Sequence, residues 1–253
     1  MSGMLEGKIA VVTGGARGIG AGIARYMIAE GAQVVAADLV PPDPDSAETR
    51  DLPFEFVPCD VTQPEQVATL IDDTLARHGR VDILVNDAGL TGGSGPFLDV
   101  KLSDWQRYIE TNLTGAFIVG QAAARAMVAG GVRGRIVNIG SVNSFAAEKD
   151  AAPYVASKGG ILLLTKAMAV DLARYSILVN CVAPGPITVE RNAAIFDAEP
   201  LRSRLAGILP LGAPGNARDI ATAVAFLASD LNQFITGTSL LVDGGSMADL
   251  HYA

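Results

Sequence analysis

Little in this chain suggests a metal, a disulfide framework or a polyanionic partner. There are two cysteines, Cys59 and Cys181, and two histidines, His78 and His251, in 253 residues. Both cysteines follow strand-like stretches and read as small buried hydrophobes in preference to a disulfide or a metal pair, and the histidines lack partners with ligand spacing, so no metal is expected. Basic residues are scarce, 19 against 27 acidic ones for a net charge of -8. With no basic stripe to neutralise phosphates, neither nucleic acid nor an anionic membrane surface is expected as a partner. Long apolar runs are missing too. The mean hydropathy of +0.33 is high, yet no uninterrupted run approaches the roughly 18 residues of a membrane helix. Residues 1–8 show no charged n-region followed by an apolar h-region, so export is not expected and the chain reads as cytoplasmic.

What is present is a core-forming composition, 49% hydrophobic and 18% charged, arranged as alternating strands and helices. Lys8–Thr13 is a β-branched run that ends in Gly14-Gly15-Ala16-Arg17-Gly18-Ile19-Gly20, after which Ile23, Met27 and Ile28 recur at helical spacing. Gln33–Asp38 forms the next strand and completes a β-α-β unit, the context in which a glycine pattern signals a dinucleotide. In that setting Gly14 permits the tight turn, Gly18 lets the backbone approach a pyrophosphate, and Gly20 allows close helix packing. Asp38 is placed to hydrogen-bond ribose hydroxyls and to repel a 2'-phosphate, favouring NAD over NADP, while Arg17 could instead meet a phosphate.

The proline- and acid-rich stretch 40–53 reads as an exposed connection and receives no function. A third strand spans 54–58, and Thr62 with Glu65 is spaced as a capping box for a helix running to about Arg77. Asp60 and Val61 stand at a strand end, where they could flank an adenine, although a plain turn aspartate fits nearly as well. The strand Val81–Val85 runs into Asn86-Asp87-Ala88-Gly89, and a long helix then carries Trp105, read as a packing residue, together with Asn112 and Phe117. Asn112 on its own reads as solvent-facing.

The strand 135–140 ends at Ser141, and a helix opened by Pro153 carries Tyr154 and Lys158, four apart and so on one face. A neighbouring ammonium favours phenolate over phenol, which makes the pair a candidate acid/base; the bland alternative is an aromatic covering a lysine stem. The helix continues through Ile161, Leu164, Met168 and Leu172, a face expected to pack on the sheet. A sixth strand, 177–182, closes at Ala183-Pro184-Gly185-Pro186. From 186 to about 212 the α/β alternation lapses, which predicts a substrate lid with a helix near 194–205; a last helix follows at 217–228, then a last strand from Thr238 and a short tail to Ala253. The fold class is α/β, a doubly wound parallel sheet of about seven strands flanked by helices in one domain, 1–253.

Taken together, Thr13-Gly-Gly-Ala-Arg-Gly-Ile-Gly20, Asp60-Val61, Asn86-Asp-Ala-Gly89, Asn112, Ser141, Tyr154-Val-Ala-Ser-Lys158 and Pro184-Gly185 occur in one order. The chain resembles a short-chain dehydrogenase/reductase over nearly its whole length. The resemblance implies a Rossmann fold and Tyr154 as general acid/base. It implies Lys158 assisting Tyr154 and holding the nicotinamide ribose, Ser141 binding the substrate oxygen, and Asn112 holding a water relay through a local helix irregularity. It further implies a cofactor site made of Gly14, Arg17, Gly18, Ile19, Gly20, Asp38, Asp60, Val61, Asn86, Ala88, Gly89, Pro184, Gly185 and Ile187 or Thr188, and a homotetramer through the helices near 103–130 and 153–175.

Two positions depart from the family pattern. Asp87 stands where the motif commonly has Asn or Ala, and Val189 replaces a threonine that contacts the nicotinamide carboxamide, leaving Thr188 or the Ile187 backbone for that contact. The expected activity is hydride transfer between NAD(H) and a secondary alcohol or ketone, a small molecule; Asn143 and Glu148 hint at a sugar or polyol, with Ile195 and Phe196 of the lid as further contacts. A 3-ketoacyl-thioester reductase of the same family is disfavoured by Asp38 and the acidic net charge. A non-catalytic dinucleotide sensor would have little need of the full Asn112, Ser141, Tyr154 and Lys158 set.

Overall fold

A computed structural model describes residues 3–249. Seven parallel strands form the central sheet: β1 (Ile9–Thr13), β2 (Gln33–Asp38), β3 (Glu55–Pro58), β4 (Ile83–Asn86), β5 (Arg135–Ile139), β6 (Leu178–Pro184) and β9 (Ser239–Val242), in the order β3-β2-β1-β4-β5-β6-β9. Helices cover both faces, which is why β1, β4 and β5 are buried at every position and largely apolar, with Thr13, Asn86, Arg135 and Asn138 as the buried polar exceptions. One face carries α1 (Gly18–Ala29) and α8 (Ala217–Ala228), with Ile23, Met27, Ile220 and Val224 in a shared core. The other carries α2 (Pro64–His78) and α4 (Gly115–Ala129), with Leu70, Val119 and Met127. Truncating a fully buried side chain such as Met27 to Ala would cost about 2–5 kcal/mol.

The order of strands reverses between β1 and β4, and the crevice outside the carboxyl ends of the strands at such a point is where ligands bind in open α/β sheets. Register puts Thr13 opposite Asn86 and Asn86 opposite Asn138, so one row of polar side chains lies just beneath that edge. Cys59 and Cys181 are free, buried thiols, as expected, and burial pushes Cys59 up to about 11.

Several expectations need correction. The capping box at Thr62 does not form: Pro64 opens α2, and the Thr62 hydroxyl donates to Asp60 Oδ1 at 2.7 Å. The long helix is three pieces, α3 (Leu102–Ile109), a π-helical turn over Glu110–Thr114, and α4. Trp105 is exposed. On α5 (Ala152–Leu172) the fully buried stripe is Ser157, Lys158, Ile161, Thr165 and Ala169, while Leu164, Met168 and Leu172 are half-buried, packing against the core on one side and lining an apolar groove shared with α4 on the other. The segment 186–212 holds a two-residue strand, β7 (Ile187–Thr188), and two helices in place of one, α6 (Glu190–Asp197) and α7 (Leu201–Ile208), separated at Pro200, which cannot continue a preceding helix. β7 pairs with β8 (Gly215–Asn216). Among the described residues no helix is long and apolar enough to cross a membrane. His251 and the end of the tail lie outside the described residues.

Candidate active site

The carboxyl ends of β1, β2, β4, β5 and β6 open on one cleft of about 670 Å³. Its floor is the turn after β1. Gly14 has φ +68, and a Cβ there would come within 2.9 Å of the Ala88 nitrogen; a Cβ on Gly20 would come within 2.2 Å of the Gly14 carbonyl oxygen. Only glycine permits both the left-handed turn and this approach. Thr13 ties the floor together, its Oγ1 accepting the N–H groups of Asp87 and Ala88 at 3.2 Å each. Gly18 starts α1 and opens on the cleft with nothing within 4 Å of where its Cβ would stand, so no side chain separates the helix N-terminus from a ligand, although its N–H is taken by Glu48.

At one end of the cleft Asp38, buried at the close of β2, pairs with the Arg17 guanidinium at 3.5 Å. Asp60 and Val61 line the same end. At the other end Lys158 donates from Nζ to the Ile139 carbonyl at 2.8 Å and sits 5.9 Å from the centroid of the Tyr154 ring. The Tyr154 ring meets Tyr108 edge to face at 6.4 Å, and the Tyr108 hydroxyl donates to the Gly92 carbonyl at 3.1 Å. Ser141 caps a single 3-10 turn; its Oγ accepts the Asn143 N–H at 3.1 Å and donates to Asn143 Oδ1 at 3.2 Å. Asn143 in turn reaches the exposed Glu148 carboxylate at 3.4 Å. Gly14, Arg17, Gly18, Ile19, Ala88, Gly89, Ser141, Tyr154, Lys158, Pro184, Gly185 and Ile187 all line this one space, with Phe196 over it.

Seven expected residues are not in the lining: the substrate contacts Asn143, Glu148 and Ile195, the last of them exposed, and four others. Gly20 lies behind Gly14. Asn86 is buried in a polar chain, donating from Nδ2 to Asn138 Oδ1 at 2.9 Å and to the Ala116 carbonyl at 3.2 Å, while Asn138 donates to Thr165 Oγ1 at 2.9 Å. Thr188 is engaged in the β7–β8 pairing, and Val189 takes its place at the cleft. Asn112 is 2% exposed, not solvent-facing: its side chain exchanges hydrogen bonds with the Leu90 backbone at 2.7 and 3.0 Å and donates to Ser157 Oγ at 3.0 Å. It sits inside the π-helical turn, an irregularity often found at functional sites.

Three features were not anticipated. Arg191, near the start of α6, reaches across the cleft so that its Nη2 lies 3.2 Å from Thr91 Oγ1. The connection 40–53 is not idle: Glu48 accepts the Gly18 N–H through Oε2 at 2.5 Å and the Glu190 N–H through Oε1 at 2.7 Å, linking the glycine turn to α6. Arg25 secures this strap by donating to the carbonyls of Ala47, Glu48 and Arg50. Finally, Asp87 lies against the glycine turn, where burial pushes its carboxyl up to about 6; Lys158, Arg191 and the Gly20 N–H oppose that rise and Asp38 adds to it. Among the described residues no group of three or more His, Cys, Asp or Glu is placed to hold a metal ion.

Residues 14–247 match a family model described as enoyl-(acyl carrier protein) reductase. Among curated relatives, the L-fucose dehydrogenase of Bos taurus is 39% identical over 97% of this chain and 91% of its own. The 3-oxoacyl-(acyl-carrier-protein) reductase of Salmonella typhimurium is 38% identical over 95% and 97%. Among solved structures, the aldohexose dehydrogenase of Thermoplasma acidophilum superposes with a TM-score of 0.88 at 34% identity, over 98% of this chain and 97% of that one.

Proposed function

The chain belongs to the short-chain dehydrogenase/reductase family, oxidoreductases that use a nicotinamide dinucleotide, and from that premise we propose that it interconverts a secondary alcohol, a sugar or polyol, and its ketone or lactone with NAD(H). The observation that carries this reading is the single cleft with Asp38 at one end and Ser141, Tyr154 and Lys158 at the other. The residues fit the cofactor: a glycine turn with no side chain at Gly18, a carboxylate at the ribose end, and a Lys–Tyr pair at the reactive end. When bound, the dinucleotide supplies or accepts the hydride.

The chain's own residues do the rest. Tyr154 takes the hydroxyl proton of the alcohol or returns it to the ketone. Lys158, anchored on Ile139, holds the nicotinamide ribose and steadies charge on Tyr154. Ser141 hydrogen-bonds the substrate oxygen, oriented by Asn143. The side chain of Asn112 is committed to Leu90 and Ser157, so its share in a proton relay falls to a backbone group and to water. Asp38 favours NAD, because a 2'-phosphate beside its carboxylate would be repelled. Ile187 lines the cleft and Thr188 does not, which favours the Ile187 backbone as the group that meets the carboxamide. The segment 186–212, with α6 and α7, serves as the lid. A homotetramer buries the apolar groove between α4 and α5.

The similarity to L-fucose and aldohexose dehydrogenases supports a sugar substrate, and the exposed Glu148 beside Asn143 supports a polyhydroxylated one. The similarity to a 3-oxoacyl reductase raises the thioester alternative, against which Asp38 and a net charge of -8 both weigh. A panel of aldoses, polyols and simple secondary alcohols with NAD+ and NADP+, followed by NAD(P)H absorbance, tests the assignment. Turnover of a sugar or polyol with NAD+ is the expected result; turnover confined to 3-ketoacyl thioesters with NADPH would overturn it.

A further inference from the structure

Resting on the reading that the cleft takes a dinucleotide, we infer that Asp87 couples a proton to cofactor binding: its carboxylate, seated under the glycine turn, takes up a proton as the diphosphate arrives. A Cβ built on Gly20 would come within 2.8 Å of Asp87 Oδ2 and within 2.2 Å of the Gly14 carbonyl oxygen, so the carboxylate lies directly against the turn whose backbone a diphosphate must approach. The Gly20 N–H bonds this carboxylate, and the Gly18 N–H is held by Glu48. Two carboxylates of the chain thus occupy donors at the start of α1, the place where a phosphate gains most from helix amides.

The charges that face Asp87 come from every side of the cleft. Lys158 on α5 and Arg191 on α6 are the cations; Asp38 at the end of β2 is the anion and is paired with Arg17. The cations are already engaged, Lys158 with the Ile139 carbonyl and Arg191 beside Thr91. Two further negative charges, carried by the diphosphate into a cleft from which it displaces water, make the ionised form of Asp87 more costly still. Burial has already raised this carboxyl to about 6 in spite of those two cations. Since a nearby anion raises a carboxyl further, the bound complex holds the proton to a higher pH than the free protein does. Affinity for the dinucleotide therefore falls as pH rises through the free value and levels off above the bound one, by tenfold for each unit between the two.

Titrating NADH into the full chain by calorimetry, from pH 6 to 8.5 in two buffers of different ionisation enthalpy, reads binding and proton uptake separately. The wild type is expected to take up a fraction of a proton near pH 7, with Kd rising several-fold between pH 6 and 8. Asp87→Asn keeps an acceptor for the Gly20 N–H and removes the charge; it should take up none and bind NADH at pH 8 more tightly, with a flat profile. Asp87→Ala gives the same comparison should the first variant fold poorly. Glu48→Gln, the other carboxylate on α1, should retain the uptake. Uptake unchanged in both Asp87 variants, or lost in Glu48→Gln, would overturn the inference while leaving the dehydrogenase reading intact. An absence of NADH binding at every pH in the wild type would instead overturn the reading on which it rests.

Discussion

The Lys158 ammonium is fastened to the Ile139 carbonyl at 2.8 Å while standing 5.9 Å from the centroid of the Tyr154 ring, one helical turn away. A long, flexible cation is thereby fixed at the reactive end of the cleft before any ligand enters. On the proposed mechanism Tyr154 moves the proton, and general acid–base catalysis of this kind contributes roughly 10²–10⁴-fold. Tyr154→Phe should therefore lower kcat by about three orders of magnitude while the Kd for NADH, read by fluorescence, stays within about twofold. Unaltered turnover would remove Tyr154 from the mechanism.

Asp38→Ala separates the ribose carboxylate from its partner. Arg17, now unpaired at the same end, becomes free to meet a 2'-phosphate. The ratio of kcat/KM with NADP+ to that with NAD+ is expected to rise by about 10–100-fold, equivalent to about 1.4–2.8 kcal/mol. A ratio that does not move would exclude a ribose role for Asp38.

Ser141 donates to Asn143 Oδ1 and accepts the Asn143 N–H, so truncating the Asn143 side chain keeps the second bond and removes the acceptor that orients the serine hydroxyl. Asn143→Ala should reduce kcat/KM by about tenfold, about 1.4 kcal/mol. The loss should be the same for sugars and for simple alcohols. A loss confined to sugars would make Asn143 a direct contact to the sugar hydroxyls.

The Glu48 strap joins the glycine turn to α6 across the mouth of the cleft. Each hydrogen bond to its carboxylate is worth about 1.5–3 kcal/mol when charge-assisted, less where water competes. In stopped-flow displacement, Glu48→Ala is expected to speed NADH release by about fivefold or more. An unchanged release rate would mean that the strap opens independently of the cofactor.

Asp87 also leaves a mark on stability. Its carboxyl titrates at about 6 in the folded chain against about 3.9 unfolded. The folded state therefore disfavours the charge, and stability falls as pH rises from about 4 to 6. The difference of about two units corresponds to about 2–3 kcal/mol at neutral pH. Asp87→Asn should accordingly raise the denaturation midpoint by several degrees at pH 8 and leave it little changed at pH 4. Equal midpoints at pH 8 would place the carboxylate in contact with water.

The strand ends and the Tyr154–Lys158 pair are readable because the information is local: a parallel strand covered on both faces is mostly apolar, and four residues along a helix is one face. Asn112 by itself suggests a solvent-facing residue, because its burial depends on Leu90 and Ser157, far away in sequence; the helix irregularity that the family resemblance implies there is the π-helical turn. The buried stripe on α5 is only partly legible for a related reason. That helix is apolar on two sides, one against the sheet and one against the groove with α4, so hydrophobic spacing alone does not say which side faces inward. Glu48 was hidden among prolines and acids whose composition suggests a solvated loop, and only the fold brings it to Gly18 and Glu190.

The buried chain from Asn86 through Asn138 to Thr165 sets the tolerance to which the reactive end is machined. It fastens β4 to β5 and β5 to α5 with hydrogen bonds of 2.9 Å in an interior that could have been wholly apolar. Leucine or valine in those places would bury as well and would let neighbours settle in several alignments. Sliding α5 by one residue would carry Tyr154 about 1.5 Å along the helix and turn it by about 100° away from Ser141. That slip would leave buried amide and hydroxyl groups without partners, at about 1–3 kcal/mol each. Alignment of the tyrosine with the serine is thus enforced from beneath the sheet edge, by residues that never meet the substrate.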